Sequence, residues 1–434
     1  MRSSQLPGNP RWCATALLAA VALTGCSGAS PRHAEVSGKV GFVAVGDTGY
    51  DYRYLERKDY EPPRSMQQFV DDERNEWIED GRAPADFQPP PTHQLASGAV
   101  VAATGLNAVA RAMESWCTRV PCDFGTILGD NIYPDGATAG ADGTDDQARF
   151  RDLFVEPFAP LAVGRPGFRY YVTLGNHDWN TSLAGAESQL RFHETTAPFH
   201  MDGYNYRVRP ALAGGQVELF VIDTELLLSR SDIRETAMSV DGRGTLLDER
   251  DDTGPWVRAR AEQGPDIAAW LEEALASSDA RWKIVVGHHP LWSSAGSKFA
   301  QAAELRRLIL PTLCRHADMY LAGHEHTLEL HVDDCSDSLP GAGVPPLIGV
   351  VSGAGAKQRP VHAPFSARQQ ADHPQLQTLY ARGMVWGFSH VEVEGDTATI
   401  RLISTPDDGS GVPVVDYTFT TRRRSGVSAP GSAQ

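Results

Sequence analysis

Five times in this chain a short apolar run stops at a glycine and is followed at once by side chains that bind cations. The five turns are Gly46-Asp47-Thr48-Gly49, Gly129-Asp130-Asn131-Ile132-Tyr133, Gly175-Asn176-His177-Asp178, Gly287-His288-His289-Pro290 and Gly323-His324-Glu325-His326. The runs before them, Lys39 to Val45, Phe124 to Leu128, Arg169 to Thr173, Trp282 to Val286 and Met319 to Ala322, read as buried strands. Strand ends are where α/β folds place their ligands. A glycine lets the backbone turn sharply beside an ion, and carboxylates and imidazoles are donors that iron, manganese and zinc accept.

The rest of the chain fits an α/β plan. Val217 to Ile222 and Leu347 to Val351 add two more buried strands. Ser97 to Trp116 reads as a helix capped by Ser97, with Ala102, Leu106, Val109, Met113 and Trp116 on one face, and Ile267 to Leu275 reads as another. Ser389 to Glu394, Ala398 to Ser404 and Val414 to Thr420 look like edge strands or a hairpin. These elements make one catalytic domain over residues 39–420, interrupted by long excursions near 50–94 and 229–264 that are either lids or mobile segments. Residues 421–434 read as a disordered tail.

The N-terminus reads as an export signal over residues 1–25, with a linker over 26–38. Leu23-Thr24-Gly25-Cys26 resembles a bacterial lipobox, which implies cleavage before Cys26 and a lipid on that cysteine; a plain secretory signal is the alternative. Either puts the protein outside the cytoplasm, as an outer-membrane lipoprotein or a secreted protein. The four cysteines left, Cys117, Cys122, Cys314 and Cys335, suit an oxidising compartment and permit three pairings, of which the local one, Cys117 with Cys122 and Cys314 with Cys335, is favoured over a zinc site. A formal charge of −16 argues against nucleic acid as a partner. No obligate protein partner is evident.

The five turns in this order resemble the calcineurin-like metallophosphoesterases, and Tyr133, three residues after Asp130, narrows the resemblance to the purple acid phosphatases. Pro290-Leu291-Trp292-Ser293, Val351-Ser352-Gly353-Ala354-Gly355 and Trp386-Gly387-Phe388 look most like the small tartrate-resistant type. The resemblance implies a four-layer αββα sandwich with two mixed β-sheets. It implies a dinuclear centre, one metal held by Asp47, Asp130, Tyr133 and His326 and the other by Asp130, Asn176, His288 and His324, with Asp130 as the bridge. Iron(III) with iron(II), zinc or manganese is the implied pair, and a tyrosinate on ferric iron would colour the protein.

The implied activity is acid phosphatase chemistry on a small-molecule phosphate ester, by in-line attack of a metal-held hydroxide. Asn176 and His177 are the implied substrate contacts, with His177 assisting the leaving group. The small acid phosphatases carry another histidine nine residues after the fourth-turn ligand, where this chain has Ser297. His289 could take that part as a substrate contact, or its side chain could point away from the cleft. A phosphodiesterase or nucleotidase using the same metals is the rival reading. A lipid-anchored binding protein without turnover is a third, and the complete ligand set argues against it.

Overall fold

The computed structural model describes residues 38–233, 237–240, 244–247 and 254–424. The export signal, Cys26, nearly all of the linker and residues 425–434 lie outside the described residues.

Two seven-stranded sheets carry the fold. In the first, Val40–Val45, Phe124–Leu128, Tyr170–Thr173 and Phe199–His200 run parallel, and Trp386–Glu394, Thr397–Thr405 and Val414–Arg422 continue the sheet antiparallel from Val40–Val45. In the second, Val217–Val221, Trp282–Val286, Met319–Ala322 and Leu347–Ser352 are parallel. Tyr206–Val208 pairs antiparallel with Val217–Val221, while Leu328–Asp333 and Leu376–Arg382 close the opposite side. Both sheets are therefore mixed, as expected. The parallel strands are apolar along most of their length because both of their faces are covered, and Phe42 stacks on Phe124 at 4.6 Å between ring centroids.

The sheets meet where the parallel strands end. Gly46 N–H donates to the Ser352 carbonyl at 2.8 Å, the Ser352 hydroxyl donates to the Ala44 carbonyl at 2.8 Å, and Thr173 donates to the Ile222 carbonyl at 3.1 Å. Helices pack against each sheet, Leu106–Trp116 on the first and Ile267–Ala276 on the second. Cys117–Cys122 and Cys314–Cys335 are disulfides. Among the described residues no helix is long and apolar enough to cross a membrane.

Several local expectations are corrected. The helix expected from Ser97 starts at Leu106, because Val100-Val101-Ala102 pairs as a strand with Thr92–Gln94 and Thr104, not Ser97, bonds the first turn at Leu106 N. Of the edge strand or hairpin expected at Ser389 to Glu394, the hairpin with Thr397–Thr405 is present, while Val40–Val45 on its other side makes the strand interior and not an edge. The tail does not begin at Thr421, since Thr421 and Arg422 complete a strand and Arg424 donates to the carbonyls of Leu313 and Ala317.

The first excursion is folded. Ser65 and Gln68 form a reciprocal cap on the helix Met66–Glu79, which buries Phe69 and Trp77. In the second excursion 237–240 pairs with 244–247, and Pro255–Gln263 is helical.

Candidate metal centre

Local backbone geometry brings the five turns onto one spot. Asp47, Asp130 and His324 have φ of 58°, 53° and 69°, left-handed values that a non-glycine residue adopts at a cost of about 1–3 kcal/mol. At two glycines there is no room for a side chain: a Cβ on Gly175 would lie 2.3 Å from Asp130 Oδ1, and one on Gly353 would lie 2.7 Å from Asp47 Oδ2. The Asp178 carboxylate ties the second turn to the third by accepting from the main-chain N–H groups of Gly175 at 2.8 Å, Asn131 at 3.0 Å and Ile132 at 3.2 Å.

The seven expected ligand residues come together in two groups that share Asp130. In the first, the Tyr133 hydroxyl is 3.0 Å from Asp47 Oδ1, 2.8 Å from Asp130 Oδ2 and 3.1 Å from His326 Nε2, and His326 Nε2 is 3.4 Å from Asp47 Oδ1. In the second, Asn176 Oδ1 is 3.2 Å from His288 Nε2 and 3.1 Å from His324 Nδ1, these two nitrogens are 3.1 Å apart, and His288 Nε2 is 3.3 Å from Asp130 Oδ1. Asp130 thus turns one carboxylate oxygen to each group. All seven residues are buried.

This donor set fits cations. Asp130, His288 and His324 each offer one ligand atom, and these atoms lie within 4.8 Å of one another. His288 Nδ1 faces the Leu128 carbonyl at 2.7 Å. A carbonyl only accepts, so Nδ1 carries a proton and Nε2 is the nitrogen that would turn a lone pair to a cation. His324 Nε2 lies 3.3 Å from Gln301 Oε1 and is its donor by the same logic, so Nδ1 also turns a lone pair inward. Two imidazole nitrogens and an amide oxygen thus converge as donor atoms that a bound cation would satisfy.

Without a cation, burial and the contacts among these groups favour protons on several of them, which a bound cation would displace. Burial drives the Asp47 carboxyl well above its usual range, with Asp130 adding to the effect. Burial also opposes charge on Asp130 and His288, but their contact overcomes it: Asp130 is held well below the usual range and His288 is raised to about 10. Burial, then Asp130 and Asp47, push the Tyr133 hydroxyl well above its ordinary value. Burial, then Lys357 and Arg359, keep His326 a neutral imidazole, the form that coordinates a metal.

Tyr133, His177 and His326 also line a cavity of about 440 Å³ whose far wall is the first excursion, with Tyr50, Phe69, Trp77 and Phe87. The His177 ring lies against Tyr133 at 4.3 Å and its Nδ1 bonds the Pro134 carbonyl, while the His177 backbone N–H donates to Asp130 Oδ1 at 3.0 Å. His289, expected among the substrate contacts, does not line this cavity. It is buried behind His324 at 4.3 Å between rings, with Nδ1 2.8 Å from the Thr224 hydroxyl and Nε2 3.6 Å from Glu225. Ser297 does line the cavity, bonded to Glu325 and Arg359.

Sequence reasoning gave no role to Asp178, Gln301, Thr224, Lys357 or Arg359. Asp178 stands inside a quoted turn, and a buried carboxylate among glycine-bracketed main-chain amides is its signal. Gln301 lies in the unremarkable helix Phe299–His316 and carried none.

This set of strand-end donors on two facing mixed sheets defines a metallophosphoesterase, and residues 104–328, just over half of the chain, match the calcineurin-like phosphoesterase family. The chain belongs to that family. Within it the chain is homologous to purple acid phosphatases and tartrate-resistant acid phosphatase. It is 29% identical over 241 residues to purple acid phosphatase 4 of Arabidopsis thaliana, covering 54% of this chain and 59% of that protein, so it spans less than two thirds of the plant relative. It is 28% identical over 287 residues to tartrate-resistant acid phosphatase type 5 of Mus musculus, covering 65% of this chain and 75% of that one. The fold is also similar to a solved structure described as GAP50, the anchor in the inner membrane complex of Plasmodium, with a TM-score of 0.53 at 15% identity over 89% of this chain and 90% of that chain.

Proposed function

We propose that this protein is a dinuclear-metal hydrolase that cleaves phosphate monoesters, and that it does so outside the cytoplasm. The observation that carries the proposal is the pair of donor groups that share Asp130, with Tyr133 and His326 of the first group lining a cavity. In this reading Asp47, Asp130, Tyr133 and His326 hold one cation, and Asp130, Asn176, His288 and His324 hold the other. Two cations held there would supply Lewis-acid charge to the phosphoryl oxygens and would lower the pKa of water. Iron(III) with iron(II), zinc or manganese is the proposed pair, with Tyr133 on the ferric ion.

The chain's own residues do the rest. Asp130 offsets the repulsion of two like charges. The Asn176 amide and His177 meet the substrate. Because Pro134 takes Nδ1 of His177, Nε2 is the nitrogen that bonds or protonates the departing oxygen. The two disulfides support the export reading, with a lipid on Cys26 as the proposed anchor.

The test is metal analysis with a visible spectrum of protein starting after Cys26, repeated for Tyr133→Phe. Iron with a second metal, and broad visible absorption bleached by the substitution, is the expected result. Two metals without colour would remove the ferric tyrosinate, and no metal after reconstitution would remove the catalytic reading.

One observation favours a second reading. The aromatic cavity is far larger than a phosphate and would hold the organic part of a diester or a nucleotide. Monoester and diester hydrolysis measured side by side separate the two.

A further inference from the structure

Beside the donor groups lies a cation that the site as described does not use. Arg359 leaves the second sheet on the loop after Leu347–Ser352 and lines the same cavity as Tyr133, His177 and His326. Its position is fixed on both sides. Its backbone N–H donates to the His326 carbonyl at 3.1 Å, and its own carbonyl accepts from Met384 N–H at 3.0 Å. Its Nη1 donates to Glu325 Oε2 at 2.8 Å and to the Ser297 hydroxyl, and Ser297 in turn donates to Glu325 at 3.1 Å. Glu325 is fully buried between His324 and His326, and the Arg359 side chain is 23% exposed. Ser297 is small enough to admit the guanidinium where a larger side chain would occupy the space.

We propose that Arg359 is a specificity-determining residue that reads the second negative charge of a phosphate monoester; this rests on the phosphoesterase reading above and deepens it. A guanidinium cannot be deprotonated at working pH and presents a planar fork to phosphoryl oxygens. It therefore cannot serve as a proton donor, but it discriminates by charge. A monoester brings three terminal oxygens with two negative charges. A diester brings one charge and has an ester group in place of one of those oxygens. Lys357, from the same loop, sets its Nζ 4.7 Å from the centre of the Tyr133 ring, so two cations flank the site in a chain of net charge −16. In the reaction water adds to phosphorus and the ester P–O bond breaks. The electron pair leaves on the alcohol oxygen, which takes a proton, while Arg359 stays protonated throughout.

The test compares wild type, Arg359→Lys, Arg359→Gln and the double variant Glu325→Gln with Arg359→Gln, each with its metal content measured. The double variant removes both charges, so no buried carboxylate is left unpaired. Binding of inorganic phosphate is read by calorimetry, and kcat/KM by 4-nitrophenyl phosphate and bis(4-nitrophenyl) phosphate. At unchanged metal content we expect phosphate affinity and monoester kcat/KM to fall about tenfold or more in both Gln variants. Diester kcat/KM is expected to stay within about threefold, and Lys to restore only part of the loss because it cannot form the bidentate contact. An equal fall for both substrates, or phosphate affinity within about twofold of wild type, overturns the proposal and leaves the phosphoesterase reading standing. A metal-loaded wild type that neither binds phosphate nor cleaves either ester overturns both.

Discussion

His193 gives the sharpest prediction about stability. It lies in the helix Leu183–Thr195 with no exposed surface, edge-on to Phe154 at 4.7 Å and near Phe192 and Phe199, and neither ring nitrogen has a hydrogen-bond partner. Burial alone lowers its pKa from 6.5 to about 3. The unfolded chain therefore takes up a proton as pH falls through 6.5, and the folded chain does not until about pH 3. Stability is complete above pH 6.5 and is lost progressively below it. At about 1.4 kcal/mol per pH unit the loss is about 2 kcal/mol at pH 5 and about 3 kcal/mol at pH 4. His193→Met keeps most of the volume and removes the titration. Urea unfolding of both proteins at pH 7.5, 5 and 4 measures the difference, and acid loss of metal affects both alike. The variant should gain on wild type by those amounts as pH falls. A difference that does not change with pH would refute the reasoning and mean that the ring is solvated in the folded state.

Asp178→Ala removes the acceptor of three buried main-chain N–H groups. At about 1–3 kcal/mol for each orphaned donor it should destabilise the fold by at least 3 kcal/mol and weaken metal binding, read by thermal unfolding and metal content. Replacing Cys314 and Cys335 with serine opens a link with a sequence separation of 21 and should cost about 3 kcal/mol, against about 2 kcal/mol for Cys117 and Cys122 with a separation of 5, both read as shifts in urea midpoint.

The strand-end turns were legible because their chemistry sits at fixed offsets from apolar runs, and the backbone carries it to one edge without long-range information. Their outer partners were not, because each contact is made by folding. Gln301 reaches His324 across 23 positions, and Arg359 reaches Glu325 across 34. His288 read as a ligand while His289 could face the cleft or point away; on the bend after Trp282–Val286 the first faces Asp130 and the second Thr224. The strand Trp386–Glu394 forms the terminal hairpin that its sequence suggests, but its interior place was not legible because its second neighbour, Val40–Val45, lies at the other end of the chain. The first excursion was ambiguous for a different reason. Its long helix buries only Phe69 and Trp77, too few apolar positions to mark a face.

These terms bear on one another in acid. A buried neutral histidine is a liability there: His193 alone costs about 3 kcal/mol at pH 4, and His390, which burial lowers to about 4, adds to it. The disulfides act the other way. Their contribution comes from restricting the unfolded chain, so it does not fade with pH, and the two together supply about 5 kcal/mol, enough to offset the His193 term across the acid range. The proposed export would place the chain in an oxidising compartment, where these bonds persist. Reduction and acid should therefore compound: the reduced chain should lose its fold at a higher pH than the oxidised chain, and His193→Met should move both unfolding points to lower pH.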